Sequence, residues 1–131
     1  MGERPSHLGL RHLALFVHEF ETTKRFYVDL LGFEVEWEPD PDNAYLTSGT
    51  DNLALHRAPP GRPHGESTLD HFGVVVRHAD DVDAWASFLD ERGVEIVNAP
   101  RTHRDGARSC YVRDPDGNVV QIIHHPPISG A

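Results

Sequence analysis

His12 and His71 are the residues whose type and spacing best suit chemistry in this chain. Each stands near the start of an apolar run, Leu10-Arg11-His12-Leu13-Ala14-Leu15-Phe16-Val17 and Leu69-Asp70-His71-Phe72-Gly73-Val74-Val75-Val76. Neutral imidazoles ligate zinc, nickel and iron, and equivalent strands of a repeated unit would bring the two side chains together. The alternative is that each fills a half-polar strand and hydrogen-bonds within it. Gln121 is the third residue of interest, because it interrupts the apolar run Val119-Val120-Gln121-Ile122-Ile123. Burying an amide unpaired costs about 1–3 kcal/mol. Its partner is then backbone, water, a ligand or a metal.

Other chemistries find few residues. There is no Gly-rich phosphate loop, no Cys pair, and no Ser in the setting of a nucleophile elbow. Cys110 reads as a small core residue. Asp114, Asp116 and Asn118 belong to a turn and lack the ligand spacing of a calcium loop. Of the remaining histidines, His64, His103 and the pair His124-His125 are expected to be solvated; adjacent strand residues point to opposite faces, so the pair does not chelate one ion.

The elements that must position these groups repeat. Leu10 to Val17 is a strand, and Glu21 to Leu31 has helical period with Phe26, Tyr27, Leu30 and Leu31 as its stripe, stopped by Gly32. Phe33 to Trp37 alternates apolar and acidic residues as a strand with one wet face, and residues 39–43 form a turn. Ala44 to Thr47 and Leu53 to His56 are two short strands. A linker rich in Pro and Gly follows, and the order then begins again. Leu69 to Val76 is a strand. Asp80 caps a helix that runs to Arg92 with Trp85, Phe88 and Leu89 as its stripe, and Gly93 stops it. Val94 to Val97 is the next strand. Tyr111 to Ile123 closes the unit as a hairpin around Asp114-Pro115-Asp116-Gly117-Asn118. Laid on each other, the halves match His12 with His71, Gly32 with Gly93, Tyr45 with Tyr111, and Leu53-Ala54-Leu55 with Val120-Gln121-Ile122. The chain therefore reads as one domain of two tandem βαβββ modules, at about 9–58 and 68–126, joined by a linker at 59–67.

Composition narrows the function classes. Hydrophobic content of 38% and charge of 25% describe a globular chain. The net charge of −9 disfavours non-specific nucleic-acid binding. No apolar run approaches the ~20 residues that span a bilayer, and residues 1–8 read as a loose polar leader without the apolar centre of a signal peptide. A single cysteine excludes an intrachain disulfide and fits a cytoplasmic location.

Phe26-Tyr27-Val28-Asp29-Leu30-Leu31-Gly32-Phe33, the two first-strand histidines and Asp114-Pro115-Asp116-Gly117-Asn118 resemble the vicinal-oxygen-chelate superfamily over residues 9 to 126. That superfamily includes glyoxalases, extradiol dioxygenases, methylmalonyl-CoA epimerases, fosfomycin-resistance thiol transferases and bleomycin-binding proteins. The resemblance implies an α+β fold whose two βαβββ modules form a cupped, eight-stranded mixed sheet. It also implies a divalent metal that chelates substrate oxygens, with ligands from the first and last strand of each module. By position these are His12, His71 and Gln121. The remaining position falls at Ala54, which cannot ligate, and His56 two residues on would face the same side of its strand. The second-module ligand is usually Glu in the family. Gln121 withholds the carboxylate that a two-His-one-carboxylate iron site requires, and with it the usual general base.

The third strand of module two lines the cup in the family, which makes Tyr111 a candidate donor to a substrate oxygen and places Arg108 nearby. The resulting expectation is a metal-dependent lyase, isomerase or dioxygenase-like enzyme acting on a small oxygenated substrate. The alternative is a metal-free binding protein of the bleomycin-resistance type, with Trp37 and Tyr45 stacking on the ligand. The family's habit of pairing modules, together with the proline-rich linker, points to a homodimer.

Overall fold

Period-two alternation builds the sheets. In β3 (Asn43–Thr47) Ala44 and Leu46 are buried, while Asn43, Tyr45 and Thr47 are half-exposed on the other face. The computed structural model describes residues 4, 8–64, 67 and 69–130. Most of the leader, together with Gly65, Glu66 and Thr68 at the end of the linker, lies outside the described residues. The chain divides into two compact units, Met1–Arg62 and Pro63–Ala131. It is an α+β chain of two four-stranded mixed sheets, each with its own helix.

In the first unit, β1 (His12–Val17), β2 (Glu34–Asp40), β3 and β4 (Asn52–Arg57) are ordered β1-β4-β3-β2. β1 runs parallel to β4, and the other neighbours are antiparallel. Helix α1 (Phe20–Arg25) packs against β4 and continues as a π-helical segment, Phe26–Leu30, within the single helix expected from sequence. Phe20, Phe26, Tyr27, Leu46, Leu53 and Leu55 are buried, and side chains of this size contribute about 1.5–3 kcal/mol each. Tyr27 meets Phe26 and Phe33 edge-on at 5.0 and 5.8 Å.

In the second unit, β5 (Phe72–Val75), β6 (Ile96–Thr102), β7 (Arg108–Arg113) and β8 (Val119–His124) repeat the pattern as β5-β8-β7-β6. Helix α2 (Ala79–Glu91) lies on β6, β7 and β8. Val76, Val82, Ala86, Cys110 and Ile122 form its core, with Val74 and Trp85 against them. The N-cap is His78 rather than Asp80, and Asp81 closes the turn by accepting the His78 backbone N–H at 3.0 Å. A short helix α3 (Pro126–Ser129) follows β8. Gly32 and Gly93, at φ +80° and +79°, end the two helical segments in the left-handed region where only glycine is unstrained. Among the described residues no helix is long and apolar enough to cross a membrane.

The edge strands β2 and β6 share an irregularity. β2 pairs Val35, Trp37 and Asp40 with Leu46, Tyr45 and Asn43, so the register shifts twice. β6 pairs Ile96, Asn98 and Arg101 with Val112, Tyr111 and Ser109, with the same two shifts. Each strand also carries a proline, Pro39 or Pro100, which an edge strand tolerates.

Candidate functional site

The Asp114 carboxylate fixes the hairpin that positions Gln121. It is buried and accepts the backbone N–H groups of Asp116 and Asn118 at 2.9 and 2.8 Å and the Asn118 side-chain amide at 2.9 Å. The turn thereby sets the register that places Tyr111 opposite Gln121, with Gly73 on the other side of Gln121 in parallel β5. Cross-strand partners share a sheet face, so Gly73, Tyr111 and Gln121 lie together, opposite the face that α2 covers. Residue 71, two before Gly73, has the same parity. Gln121 Nε2 donates to the Tyr111 hydroxyl at 3.0 Å, and the rings of His71 and Tyr111 meet edge-on at 5.2 Å. The polar residue of the apolar strand thus finds its partner in a tyrosine.

The first unit carries the equivalent frame with different side chains. Ala54 pairs with Ala14 in β1 and with Tyr45 in β3, as Gln121 pairs with Gly73 and Tyr111. His12, Ala54 and His56 share one sheet face. His56, however, lies opposite Phe16, four residues from His12 along the sheet. That offset is about 13 Å, too far for one ion to join these two imidazoles, and the structure does not bring them together.

All three candidate histidines are held in the same way. His12 Nδ1 lies 2.8 Å from Asn52 Oδ1, and the Asn52 amide nitrogen donates to Glu36 at 3.3 Å. His56 Nδ1 lies 2.6 Å from Asn43 Oδ1, and the Asn43 amide nitrogen donates to both oxygens of Asp40 at 2.9 and 3.1 Å. Each carboxylate fixes which way the amide points, so each asparagine presents oxygen to the imidazole. Nδ1 must then carry the proton, which leaves the lone pair on Nε2. His71 Nδ1 lies 2.6 Å from the Asp70 carboxylate, with the same result. Asn43, Asn52 and Asp70 were not singled out in the sequence. Only the strand register reveals the first two, whereas Asp70 beside His71 was a readable signal.

A recess of about 420 Å³ opens beside Gln121 and Tyr111 and is lined further by Arg101, His103, Arg104 and Asp105 of the β6–β7 hairpin. The register shift in β6 sets Arg101 opposite Ser109 and hence on the Tyr111 face. Arg108 lies elsewhere than expected. It forms a fork on Asp83 of α2 at 2.9 and 2.7 Å, on the opposite face from Tyr111, and holds that carboxyl below its usual range. His103 is not simply solvated, because its Nε2 lies 2.7 Å from the hydroxyl of buried Ser109. His64 lies 2.8 Å from the Asp116 carbonyl. His124 and His125 each shield an Nδ1 from solvent without a hydrogen-bond partner among the described residues. Burial pushes the Cys110 thiol up to about 11, so it stays protonated and unreactive at neutral pH.

Comparison with known proteins places this geometry. The sequence profile described as Glyoxalase/Bleomycin resistance protein/Dioxygenase superfamily matches residues 9–122. "Virulence protein STM3117" of Salmonella typhimurium is 32% identical over 123 residues, covering 87% of this chain and 82% of that one. "Metallothiol transferase FosB" of Staphylococcus epidermidis is 27% identical, covering 87% and 80%. The crystal structure of lactoylglutathione lyase from Agrobacterium tumefaciens superposes with a TM-score of 0.74 at 24% identity, covering 93% and 96%, a likeness of fold.

Proposed function

Since the chain belongs to the Glyoxalase/Bleomycin resistance protein/Dioxygenase superfamily, we propose that it is a divalent-metal-dependent enzyme acting on a small oxygenated substrate, with His12, His71 and Gln121 as ligands. The observation that carries this reading is how the two rings are held. His12 and His71 each have Nδ1 engaged by an oxygen acceptor, so Nε2 presents its lone pair, the form a metal requires. Gln121 directs its amide nitrogen at Tyr111, which leaves Oε1 as its free donor atom. The donor set therefore fits zinc, nickel, iron or manganese. A bound ion would act as a Lewis acid on a substrate oxygen.

The chain's own groups define the rest. All three donors are neutral, so they do not offset the ion's charge, and substrates that bring anionic oxygens are favoured. The Tyr111 oxygen accepts from Gln121, so its own O–H is directed elsewhere and is the candidate donor to a substrate oxygen. Ala54 and Gln121 occupy the last-strand positions without supplying a carboxylate base. Lyase, isomerase and dioxygenase-like reactions are the family's range, and within it this set suits polarisation better than proton abstraction.

Elemental analysis after reconstitution with each metal tests the proposal. About one equivalent per chain is expected, with His71→Ala losing it while its circular dichroism is unchanged. Full occupancy in that variant refutes the ligand set. A second reading, a metal-free binding protein, is favoured by one feature. Trp37 stacks on Tyr45 at 5.2 Å and 21° while remaining 59% exposed, a platform for an apolar or aromatic ligand. No bound metal under any condition would support it. We propose also that the chain forms a homodimer, because Phe16, Val35 and Trp37 of the first unit and Val75 of the second are exposed apolar side chains that a two-fold contact would cover. A single-chain mass in sedimentation equilibrium at micromolar concentration refutes this.

A further inference from the structure

Most arginines of the two sheets hold carboxylates. Arg57 binds Glu21 and Asp42, Arg108 binds Asp83, and Arg113 binds Glu95. Arg101 and Arg104 hold no carboxylate among the described residues, although the chain has 21 acidic residues and 12 basic ones. Both line the recess that contains Tyr111 and Gln121. The one carboxylate there, Asp105, accepts the Ala107 backbone N–H at 3.0 Å and so serves the hairpin turn. The recess is thus lined by two arginines and one engaged carboxylate, an excess of positive charge in a chain of net charge −9. Arg101 pairs with Ser109, which stands on the same sheet face as Tyr111.

We infer that this recess binds the anionic end of a small substrate, a carboxylate or a phosphonate, through Arg101 and Arg104. A planar guanidinium matches either oxyanion with paired, charge-assisted hydrogen bonds. The volume of about 420 Å³ suits a metabolite-sized acid. The remaining oxygens of such a molecule reach Tyr111 and Gln121 on the same wall. The inference rests on the proposed function for what happens at that other end, but the contact between anion and arginine requires no metal.

The test is amide chemical-shift titration of the whole ¹⁵N-labelled chain after chelator treatment. The probes are lactate, methylphosphonate and the uncharged propane-1,2-diol. Either acid is expected to shift amides of the β6–β7 hairpin and of β8 with Kd of about 1–10 mM, and the diol is not; the tighter acid identifies the group. Arg101→Gln should weaken the acid about five-fold, and Arg101→Gln with Arg104→Gln should erase the preference for acid over diol. Arg101→Lys with Arg104→Lys should restore part of it, which separates a lost charge from a lost fold. Equal binding of lactate and the diol, or unchanged acid affinity in the double glutamine variant, overturns the inference. Metal analysis of the same protein after reconstitution keeps the two readings apart. A protein that binds the acids but never metal refutes the metal site alone, and one that binds metal but shows no acid preference refutes the anion contact alone.

Discussion

Replacing Asp114 by Ala removes one buried carboxylate and three hydrogen bonds from the hairpin that faces Tyr111 to Gln121. Two of the three donors are backbone N–H groups, and an alanine offers them no acceptor in place of the carboxylate. Hydrogen bonds to a charged acceptor contribute about 1.5–3 kcal/mol each and are not additive, so a total cost of about 3 kcal/mol follows. Asp114→Asn can keep the oxygen that accepts both backbone N–H groups, but it turns an amide nitrogen toward the Asn118 side chain. Its cost should be about 1 kcal/mol. With a urea m-value near 1.5 kcal/mol/M, the midpoints should fall by about 2 M for Ala and 0.7 M for Asn. Trp85 lies in the second unit and Trp37 in the first, so fluorescence in a Trp37→Phe background follows the affected unit. An Ala variant that shifts by less than about 0.5 M, or an Asn variant as damaged as Ala, would refute this accounting of the two oxygens.

Gln121→Glu should tighten divalent binding about ten-fold by calorimetry, since a charge replaces a dipole at the ion; unchanged affinity removes Gln121 from the ligand set. Cys110 should resist thiol reagents in the folded chain at pH 7 and react at once in urea, because burial raises its pKa to about 11; rapid native labelling would contradict its packing. Arg57 and Arg108 hold the Glu21 and Asp83 carboxyls below their usual range. The stability they contribute is present above the ordinary carboxyl pKa and is lost as pH falls through the lowered one. Arg57→Gln and Arg108→Gln should therefore flatten the acid side of the urea-midpoint profile, and an unaltered profile would show that these exposed pairs contribute nothing.

The repeat was legible because its spacing survives on both sides. Gly32 and Gly93 end equivalent helical segments, Tyr45 and Tyr111 fall at equivalent places in β3 and β7, and their partners are Ala54 and Gln121. Strand length was not legible at the edges. Residues 39–43 read as a turn and Val94 to Val97 as a short strand, so β2 was expected to end at Trp37 and β6 at Val97, whereas each continues through a proline at the edge of its sheet. That truncation hid Arg101, which lies four residues beyond the expected end of the strand. The supports of the histidines were hidden for a related reason. Asn43 and Asn52 lie 13 and 40 residues from the rings they hold, and only the folded register joins them.

The shared irregularity of β2 and β6 bears on how this sequence tolerates change in length. Both edge strands spend three residues where the neighbour spends two, at Trp37–Asp40 and at Asn98–Arg101. A point substitution there alters one side chain and leaves the rest in place. Deleting one residue between Trp37 and Asp40, or between Asn98 and Arg101, would leave plain pairing, with Asp40 still opposite Asn43 and Arg101 still opposite Ser109. A library of single-residue deletions scored separately for folding and for ligand binding should show these two short stretches as places that tolerate the loss of a residue better than the regular strands do.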